Sequence, residues 1–360
     1  MERWLRIQAG PADLAFDPEV GNIRRFSLNG HDILHTAHWV GTPAAQAADS
    51  VIDAHLAGDF LAAPFGASDL VPGPPHGWSA NSRWHLISRY QGAGGAGMKL
   101  MLDHDIMGAR VTKDIRLCED HPVLYQTHVI EGGPHEAAAP GGLTFAHHPM
   151  IRVSPGDAIA TSPKRAGLTP ETPLEPAHIL AYPGRSTDLT RFPAARGGTV
   201  DLTQYPRGSG HEDFVTLVEA EVGIGWTAVT RAAQNDIVVV LKDSAVMPVT
   251  MLWISNGGRD YAPWDGRHDG VLGIEDGCTA GAEGHKAALG DNAIAREGVP
   301  TALILAPNTR HTLRHAIAVL PRPEGFDGVK SLTIRENRLI LTAINGSEAE
   351  SRFESGYFSI

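Results

Sequence analysis

The 360-residue sequence has few residues of the kinds that mark disulfide-rich or membrane-spanning proteins. Its two cysteines, Cys118 and Cys278, are too few for a disulfide framework and too far apart for a zinc-binding pair, which predicts two buried thiols. No run of about 18 apolar residues occurs, and the N-terminus has no apolar stretch behind its charges. These absences predict a cytoplasmic protein that is neither exported nor membrane-bound.

Positive charge is also scarce in this sequence. The 30 lysines and arginines are outnumbered by 41 aspartates and glutamates, which gives a formal net charge of -11. Nucleic-acid affinity depends on cationic side chains that displace counterions, so this excess of acid argues against a nucleic-acid partner. A Gly-x-Gly-x-x-Gly turn opening a helix, a Walker loop and a Gly-x-Ser-x-Gly elbow are absent as well. We therefore expect a small or neutral ligand.

What the sequence does contain is a series of short runs of Val, Ile, Leu and Thr with the length of β-strands. Clusters of glycine, proline, asparagine and serine separate these runs. The clearest of them span 111–120, 122–132, 235–244, 301–307, 313–321 and 332–344. Many strands with frequent turns predict an all-β fold, a large antiparallel β-sandwich.

Helical patterns are scarce. An alanine-rich stretch at 44–58 predicts one helix, and a looser pattern at 283–289 predicts a second. The proline-rich segment 154–198 has little regular pattern, so we expect it to cross the surface and rim a site. No shift of composition marks a linker, which predicts a single domain over 1–360 whose end adds a last strand.

Three short segments that contain turn-forming glycine or proline carry side chains that can transfer protons near neutral pH. They are His76 in PPHGWSANSRW, His148 in LTFAHHPMIRV and Glu275 in GVLGIEDGCTAG. Histidine titrates near pH 6.5 and a partly desolvated glutamate can be raised toward it, so one group can act as acid and another as base. The structural alternatives are a turn histidine packed on Trp78 or Trp84, and a glutamate exposed at a strand end.

These segments resemble, in the same order, parts of the aldose 1-epimerases or galactose mutarotase-like proteins, which include a hexose-6-phosphate epimerase branch. The similar segments are LAFDPEVGNIRRFSLNGHDILHTAHW in the opening strands, GDFLAAPFG with PPHGWSANSRW around the first histidine, HHPM at the second, PVTMLWISNGG with GIEDGCT around the catalytic glutamate, and LAPNTRHTLRHAIAVL near the end. The resemblance runs from about residue 14 to 320. It implies the galactose mutarotase-like supersandwich, a particular large β-sandwich.

The resemblance also implies an isomerase that interconverts the α and β anomers of an aldose by ring opening, without a metal or cofactor. Glu275 would be the general base at the anomeric hydroxyl and His148 the acid at the ring oxygen. His76 would bind near that oxygen and steady the developing charge. In this interpretation His148 points into the cleft, and His147 packs on the opposite face of the strand.

Five further residues are candidates for binding the monosaccharide. Trp78, Trp253 and Trp264 offer flat rings on which the C–H faces of a sugar can pack, although tryptophans are more often core residues. Relatives carry an arginine before the first histidine, where this chain has Asp59. An acidic group there would accept hydrogen bonds from hydroxyls but repel a phosphorylated sugar. Asp213 aligns with an aspartate that relatives place between the second histidine and the glutamate.

Two alternatives to a mutarotase remain. A carbohydrate-binding or sugar-sensing protein on the same fold is favoured by the missing arginine, but it would not need an acid and a base across one ring. A metalloenzyme could use His147 and His148 together with Asp103, His104 or Asp105. Against this, adjacent histidines of a strand point apart, and no metal-ligand spacing occurs near them.

Overall fold

Antiparallel β-strands form most of the regular structure in the computed structural model, which describes residues 4–133 and 141–359. The first nine strands are β1 (Leu5–Ala9), β2 (Ala12–Asp17), β3 (Asn22–Leu28), β4 (His31–Asp32), β5 (Leu61–Ala62), β6 (Trp84–Gly92), β7 (Gly95–Leu102), β8 (Arg110–Cys118) and β9 (Val123–Glu131). The next eight are β10 (Gly142–Leu143), β11 (Phe145–His147), β12 (Met150–Arg152), β13 (Ala158–Thr161), β14 (Lys164–Leu168), β15 (Arg185–Ser186), β16 (Phe192–Pro193) and β17 (Thr199–Val200). The last ten are β18 (His211–Glu219), β19 (Ile224–Arg231), β20 (Asp236–Asp243), β21 (Val249–Asn256), β22 (Val271–Cys278), β23 (Leu303–Ile304), β24 (Arg310–Pro321), β25 (Val329–Arg335), β26 (Arg338–Ala343) and β27 (Glu348–Arg352). The prediction of an all-β, antiparallel fold is confirmed.

The helices are shorter than the sequence predicts. The alanine-rich stretch at 44–58 contains only a 3₁₀ turn, Pro43–Ala47, and the four-residue helix α1, Val51–Ala54. No residue of the 3₁₀ turn is buried, and a short helix without a packed face is marginal in water, so the prediction of one long helix here is wrong. Within 283–289 the structure has α2, His285–Ala288, as expected.

Two eight-stranded sheets face each other and define the molecule's layers. The site sheet runs in the order β15, β14, β18, β21, β22, β11, β5, with β12 also paired to β22. The back sheet runs in the order β13, β19, β20, β24, β9, β8, β7, β6. Their facing sides share one apolar core, which includes Leu252 and Ile274 of the site sheet and Val238 and Ile317 of the back sheet.

A three-stranded sheet, β25 to β27, covers the outer face of the back sheet. Along β20, Val238 faces the central core, whereas Val239 and Leu241 pack outward with Leu339 and Leu341 of β26. Burial on both faces explains why β20 is a continuous apolar run rather than an alternating one. The run predicted at 332–344 thus divides into β25 and β26, and β27 is the last strand expected at the chain end.

The proline-rich segment 154–198 is only partly a surface connection. β13 and β14 belong to the back sheet and the site sheet, respectively, so the expectation that the whole segment lacks regular structure is wrong. The part between β14 and β15, residues 169–184, has no strand and is mostly exposed or half-buried. This part lies at the rim of the site described below.

Cys118 and Cys278 are buried, free thiols, as predicted. Among residues 4–133 and 141–359, no helix has the length and apolar character needed to cross a membrane.

Candidate active site

His148 and Glu275 lie opposite each other on the outer face of the site sheet. β11 pairs with β22 in a register that puts Ala146 opposite Gly277. Because the strands are antiparallel, the residue two after Ala146, His148, stands opposite the residue two before Gly277, Glu275. The alternation of side chains puts both on the face turned away from the back sheet. His148 Nε2 lies 3.1 Å from Glu275 Oε1. The structure thus brings these two residues together, with His147 on the inner face.

His76 reaches the same place from a tight turn. It has a positive φ of 62°, and the following Gly77 has φ 69°. A Cβ atom on Gly77 would lie 1.8 Å from the carbonyl oxygen of Ala63, so only glycine permits this close approach. The ring of His76 meets that of His148 edge-on at 5.6 Å, while Phe60 stacks on His148 at 4.5 Å. These rings fix the plane of the His148 imidazole.

Trp253 and Glu212 extend the site along the sheet. Trp253 on β21 lies edge-on to His148 at 5.5 Å, and its Nε1 donates a hydrogen bond to Glu212 Oε1 at 2.8 Å. Glu212 lies on β18, opposite Ser255 in the ladder, and is almost fully buried. The sequence analysis did not select Glu212, although it lies next to the selected Asp213.

Asp213 faces the other side of the sheet. It stands opposite Ile254, a residue of the core between the sheets. Its carboxylate accepts hydrogen bonds from the Leu180 amide and the Tyr182 hydroxyl, and it contacts His211 Nδ1 at 2.8 Å. The structure therefore gives Asp213 partners that hold the 169–184 segment, and it brings Glu212 rather than Asp213 to the site face.

Arg259 is a second site residue, after Glu212, that the sequence did not indicate. It follows the turn after β21 and lies over the Trp264 ring, 4.2 Å from its centroid. Its Nη2 is 2.6 Å from Glu212, and its Nε is 3.2 Å from Glu175 in the 169–184 segment. The Tyr261 hydroxyl donates to the same Glu175 carboxylate at 2.8 Å. The sequence feature that could have indicated it is an arginine just after β21, the strand that carries Trp253. The resemblance directed attention to an arginine before His76 instead.

Two other suggested sugar ligands, Asp59 and Trp78, have side-chain partners other than His148 and Glu275. Asp59 is fully buried on the inner face, where its carboxylate contacts Gln126 and His147. Trp78 stacks on His104 at 4.5 Å. Trp253 and Trp264, by contrast, pack edge-on against each other in the ring cluster around His148.

Burial shifts the pKa values of Glu275 and His148 in opposite directions. It raises the pKa of Glu275 well above its ordinary value, and the Glu212 carboxylate raises this pKa further against the opposing charge of Arg259. Burial also lowers the pKa of His148 to about 3, with a smaller contribution from His76. At neutral pH these shifts favour a carboxylic acid beside a neutral imidazole, with His148 Nε2 and Glu275 Oε1 3.1 Å apart. The pair holds one proton, the same number as a carboxylate and an imidazolium together.

The metal-binding alternative requires His147 and His148 to bind the same ion. His147 and His148 face opposite sides of the sheet, so they cannot hold one ion together, and Asp103 is exposed. In the part of the chain that the structure describes, one group of three has ligand atoms within 4.8 Å of one another: Asp59, His147 and His315. The two histidine rings stack at 4.0 Å with 8° between their planes. Because histidine nitrogens bind metals in the plane of the ring, parallel stacked rings do not converge on one ion.

The fold is that of the aldose 1-epimerase and galactose mutarotase-like structures. A galactose mutarotase-like protein from Clostridium acetobutylicum superposes with a TM-score of 0.57 at 13% identity, covering 87% of this chain and 94% of its own. A protein from Escherichia coli K12 described as a candidate aldose 1-epimerase gives 0.56 at 15% identity, covering 88% and 98%. A galactose mutarotase related enzyme from Lactobacillus acidophilus gives 0.54 at 11% identity, covering 88% and 97%. No family model matches the sequence, and no curated protein matches it either.

Proposed function

We propose that the protein is a mutarotase that interconverts the α and β anomers of an aldose by general acid/base catalysis. The observation that carries the proposal is the contact between His148 Nε2 and Glu275 Oε1 on the outer face of the site sheet, beside Trp253. Opening a hemiacetal ring requires one group to take the hydroxyl proton while another gives a proton to the ring oxygen. A buried carboxyl and imidazole that share one proton can perform both transfers.

In the proposed reaction the proton of the pair first moves from Glu275 to His148. Glu275, now a carboxylate, takes the proton from the anomeric hydroxyl. His148, as an imidazolium, donates a proton to the ring oxygen while the bond between that oxygen and C1 breaks. Rotation about the C1–C2 bond presents the other face of the aldehyde, and reversal of both transfers closes the ring as the other anomer. His76 steadies the charge that develops on the ring oxygen. Because the two proton transfers cancel, the reaction needs no cofactor.

The charges around the site favour a neutral sugar over a phosphorylated one. Arg259 lies between two carboxylates, Glu212 and Glu175, so its charge is already balanced within the protein. Its guanidinium and the Glu212 carboxylate offer a donor and an acceptor of the kind that hold sugar hydroxyls, next to the Trp253 ring. Asp59 does not contribute to this preference, because it is buried on the inner face.

The proposal is tested by the rate of anomer exchange. Single anomers of several neutral aldoses are dissolved with and without the protein, and the approach to equilibrium is followed by polarimetry or by NMR. We expect at least one sugar to equilibrate faster with the wild-type protein than in buffer. No acceleration with any aldose, at a protein concentration that binds the sugar, would overturn the proposal.

A carbohydrate-binding protein without turnover is the second candidate function. It is favoured by the cover over the acid–base pair, since Glu275 is only 2% exposed and His148 5%. The same experiment separates the two candidates, because a sensor binds a sugar without accelerating its anomer exchange.

A further inference from the structure

One carboxylate lies directly behind His148. Asp59 Oδ1 accepts a hydrogen bond from the backbone N–H of His148 at 2.9 Å. The same N–H lies 3.0 Å from the carbonyl oxygen of Phe60, whose ring stacks on the His148 imidazole. Two consecutive residues, Asp59 and Phe60, thus hold the backbone and the ring of His148.

The other oxygen of Asp59 is held by the back sheet and by His147. Gln126 Nε2 on β9 donates to Asp59 Oδ2 at 2.5 Å, and His147 Nδ1 lies 3.3 Å from the same oxygen. Burial by itself would raise the pKa of Asp59, but the neighbouring His147, His315 and Lys113 hold it below its ordinary value. Asp59 is therefore an ionised carboxylate that accepts from both sheets.

These contacts belong to a cluster that also lies behind Glu275. His147 stacks on His315, and His315 Nε2 lies 3.3 Å from the carboxylate of Asp276. His147 precedes His148 in the chain, and Asp276 follows Glu275. The inner cluster, defined as Asp59, Gln126, His147, Asp276 and His315, thus contains the chain neighbours of both members of the acid–base pair.

We propose that Asp59 is a positioning residue for His148. It has no exposed surface and cannot touch a sugar, but its bond to the His148 N–H sets where the strand places the imidazole relative to Glu275. Supporting hydrogen bonds of this kind matter because misplacing a catalytic group by about 1 Å can cost about 100-fold in rate. The inference rests on the proposed function for its effect on rate, and on geometry alone for its effect on the backbone.

Two substitutions of Asp59 distinguish its effect on the position of His148 from the effect of its negative charge. Asp59→Asn keeps an oxygen for the His148 N–H, and Gln126 can turn its amide so that its Oε1, which has no partner among the described residues, accepts from the new amide. Asp59→Ala removes this acceptor and leaves the His148 N–H with the Phe60 carbonyl oxygen alone. We expect Asp59→Asn to keep kcat within about 3-fold and Asp59→Ala to lower it by about 10- to 100-fold, with KM little changed in both.

Asp157→Ala is the matched control for general destabilisation. Asp157 is another buried carboxylate that accepts from backbone N–H groups, those of Ser154 and Ala232, and neither belongs to the site or to the inner cluster. We expect its loss to lower the midpoint of thermal unfolding while leaving kcat near the wild-type value. An equal loss of kcat in Asp157→Ala and Asp59→Ala would show that destabilisation, not position, explains the effect.

Hydrogen–deuterium exchange of the peptide that contains His148 gives a readout independent of activity. We expect faster exchange at this peptide in Asp59→Ala and wild-type exchange in Asp59→Asn. Unchanged exchange in Asp59→Ala overturns the inference whatever the activity, and faster exchange with wild-type kcat overturns the positioning role. If the wild-type protein exchanges no anomers, the proposed function fails and the exchange data alone decide whether Asp59 holds His148.

A second variant covers the case in which Asp59→Ala does not fold. Gln126→Leu leaves Asp59 in place but removes its donor from the back sheet, and we expect faster exchange at the His148 peptide together with a several-fold lower kcat. Wild-type values of both quantities would overturn the inference.

Discussion

The proposed chemistry depends on Glu275 acting as a base beside His148. Glu275→Gln keeps the shape of the side chain but cannot accept a proton from a hydroxyl. We expect it to lower kcat for anomer exchange by about 10²- to 10⁴-fold, the usual contribution of one acid or base, while sugar binding persists. Polarimetry measures the rate, and titration followed by NMR measures the binding. Full activity in this variant would refute the role of Glu275 even if the protein proved to be a mutarotase.

The raised pKa of Glu275 also predicts how stability depends on pH. A carboxyl whose pKa is higher in the folded than in the unfolded state stabilises the fold most below its ordinary value of 4.5, and this contribution falls as pH rises above it. Glutamine has no charge to bury, so Glu275→Gln should gain stability relative to the wild type between pH 5 and pH 8. Thermal unfolding of both proteins at the two pH values checks this. A difference in unfolding midpoint that is the same at both would contradict a raised pKa.

Single residues also show where sequence reasoning ends. The choice of His148 over His147 follows from alternation along a strand once the resemblance names the second histidine. The choice between Glu212 and Asp213 depends on the register of β18 against β21, which one sequence does not contain. Neighbouring residues of a strand face opposite sides, so Glu212 reaches the site while Asp213 anchors the 169–184 segment.

At the scale of elements, the loop after β21 contributes an arginine to the candidate site, whereas the stretch before His76, residues 58–75, contains none. Arg259 lies in this loop, and Glu175 of the 169–184 segment contacts both Arg259 and Tyr261. These contacts join two segments about 80 residues apart in the chain. The sequence predicts that the proline-rich segment rims a site, but it does not place Arg259 there, because that contact depends on tertiary packing.

Arg259→Lys tests whether this loop binds the sugar. Lysine keeps the charge but loses the planar fork of donors, so one charged hydrogen bond, worth about 1.5–3 kcal/mol, should be lost. We expect KM for the preferred aldose to rise by about 10-fold or more, with a smaller effect on kcat. Arg310→Lys is the control, since Arg310 is exposed and pairs with Glu131 on the back sheet. Equal KM values for the two variants would show that Arg259 does not contact the sugar.

At the scale of the whole molecule, the site and much of the buried apolar surface that stabilises the fold lie in different layers. The site occupies the outer face of the site sheet, the central core and the inner cluster lie between the two large sheets, and β25 to β27 cover the far side of the back sheet. Strand-length apolar runs were enough to predict an all-β sandwich. They did not predict the third layer, because a run buried on two faces has the same sequence whether a sheet, a helix or another chain covers it.

Leu341→Ala tests this separation. Leu341 is fully buried in the layer between β26 and the back sheet, beside Val239 and Leu241, and removing such a side chain leaves a cavity that costs about 2–5 kcal/mol. We expect the free energy of unfolding in urea to fall by about that amount while kcat/KM for anomer exchange stays near the wild-type value, because two layers separate this position from Glu275. Ile344→Ala is the matched control, since Ile344 is 67% exposed and its truncation should change stability little. A loss of activity in Leu341→Ala under conditions in which the protein remains folded would show that the outer layer acts on the site through the back sheet.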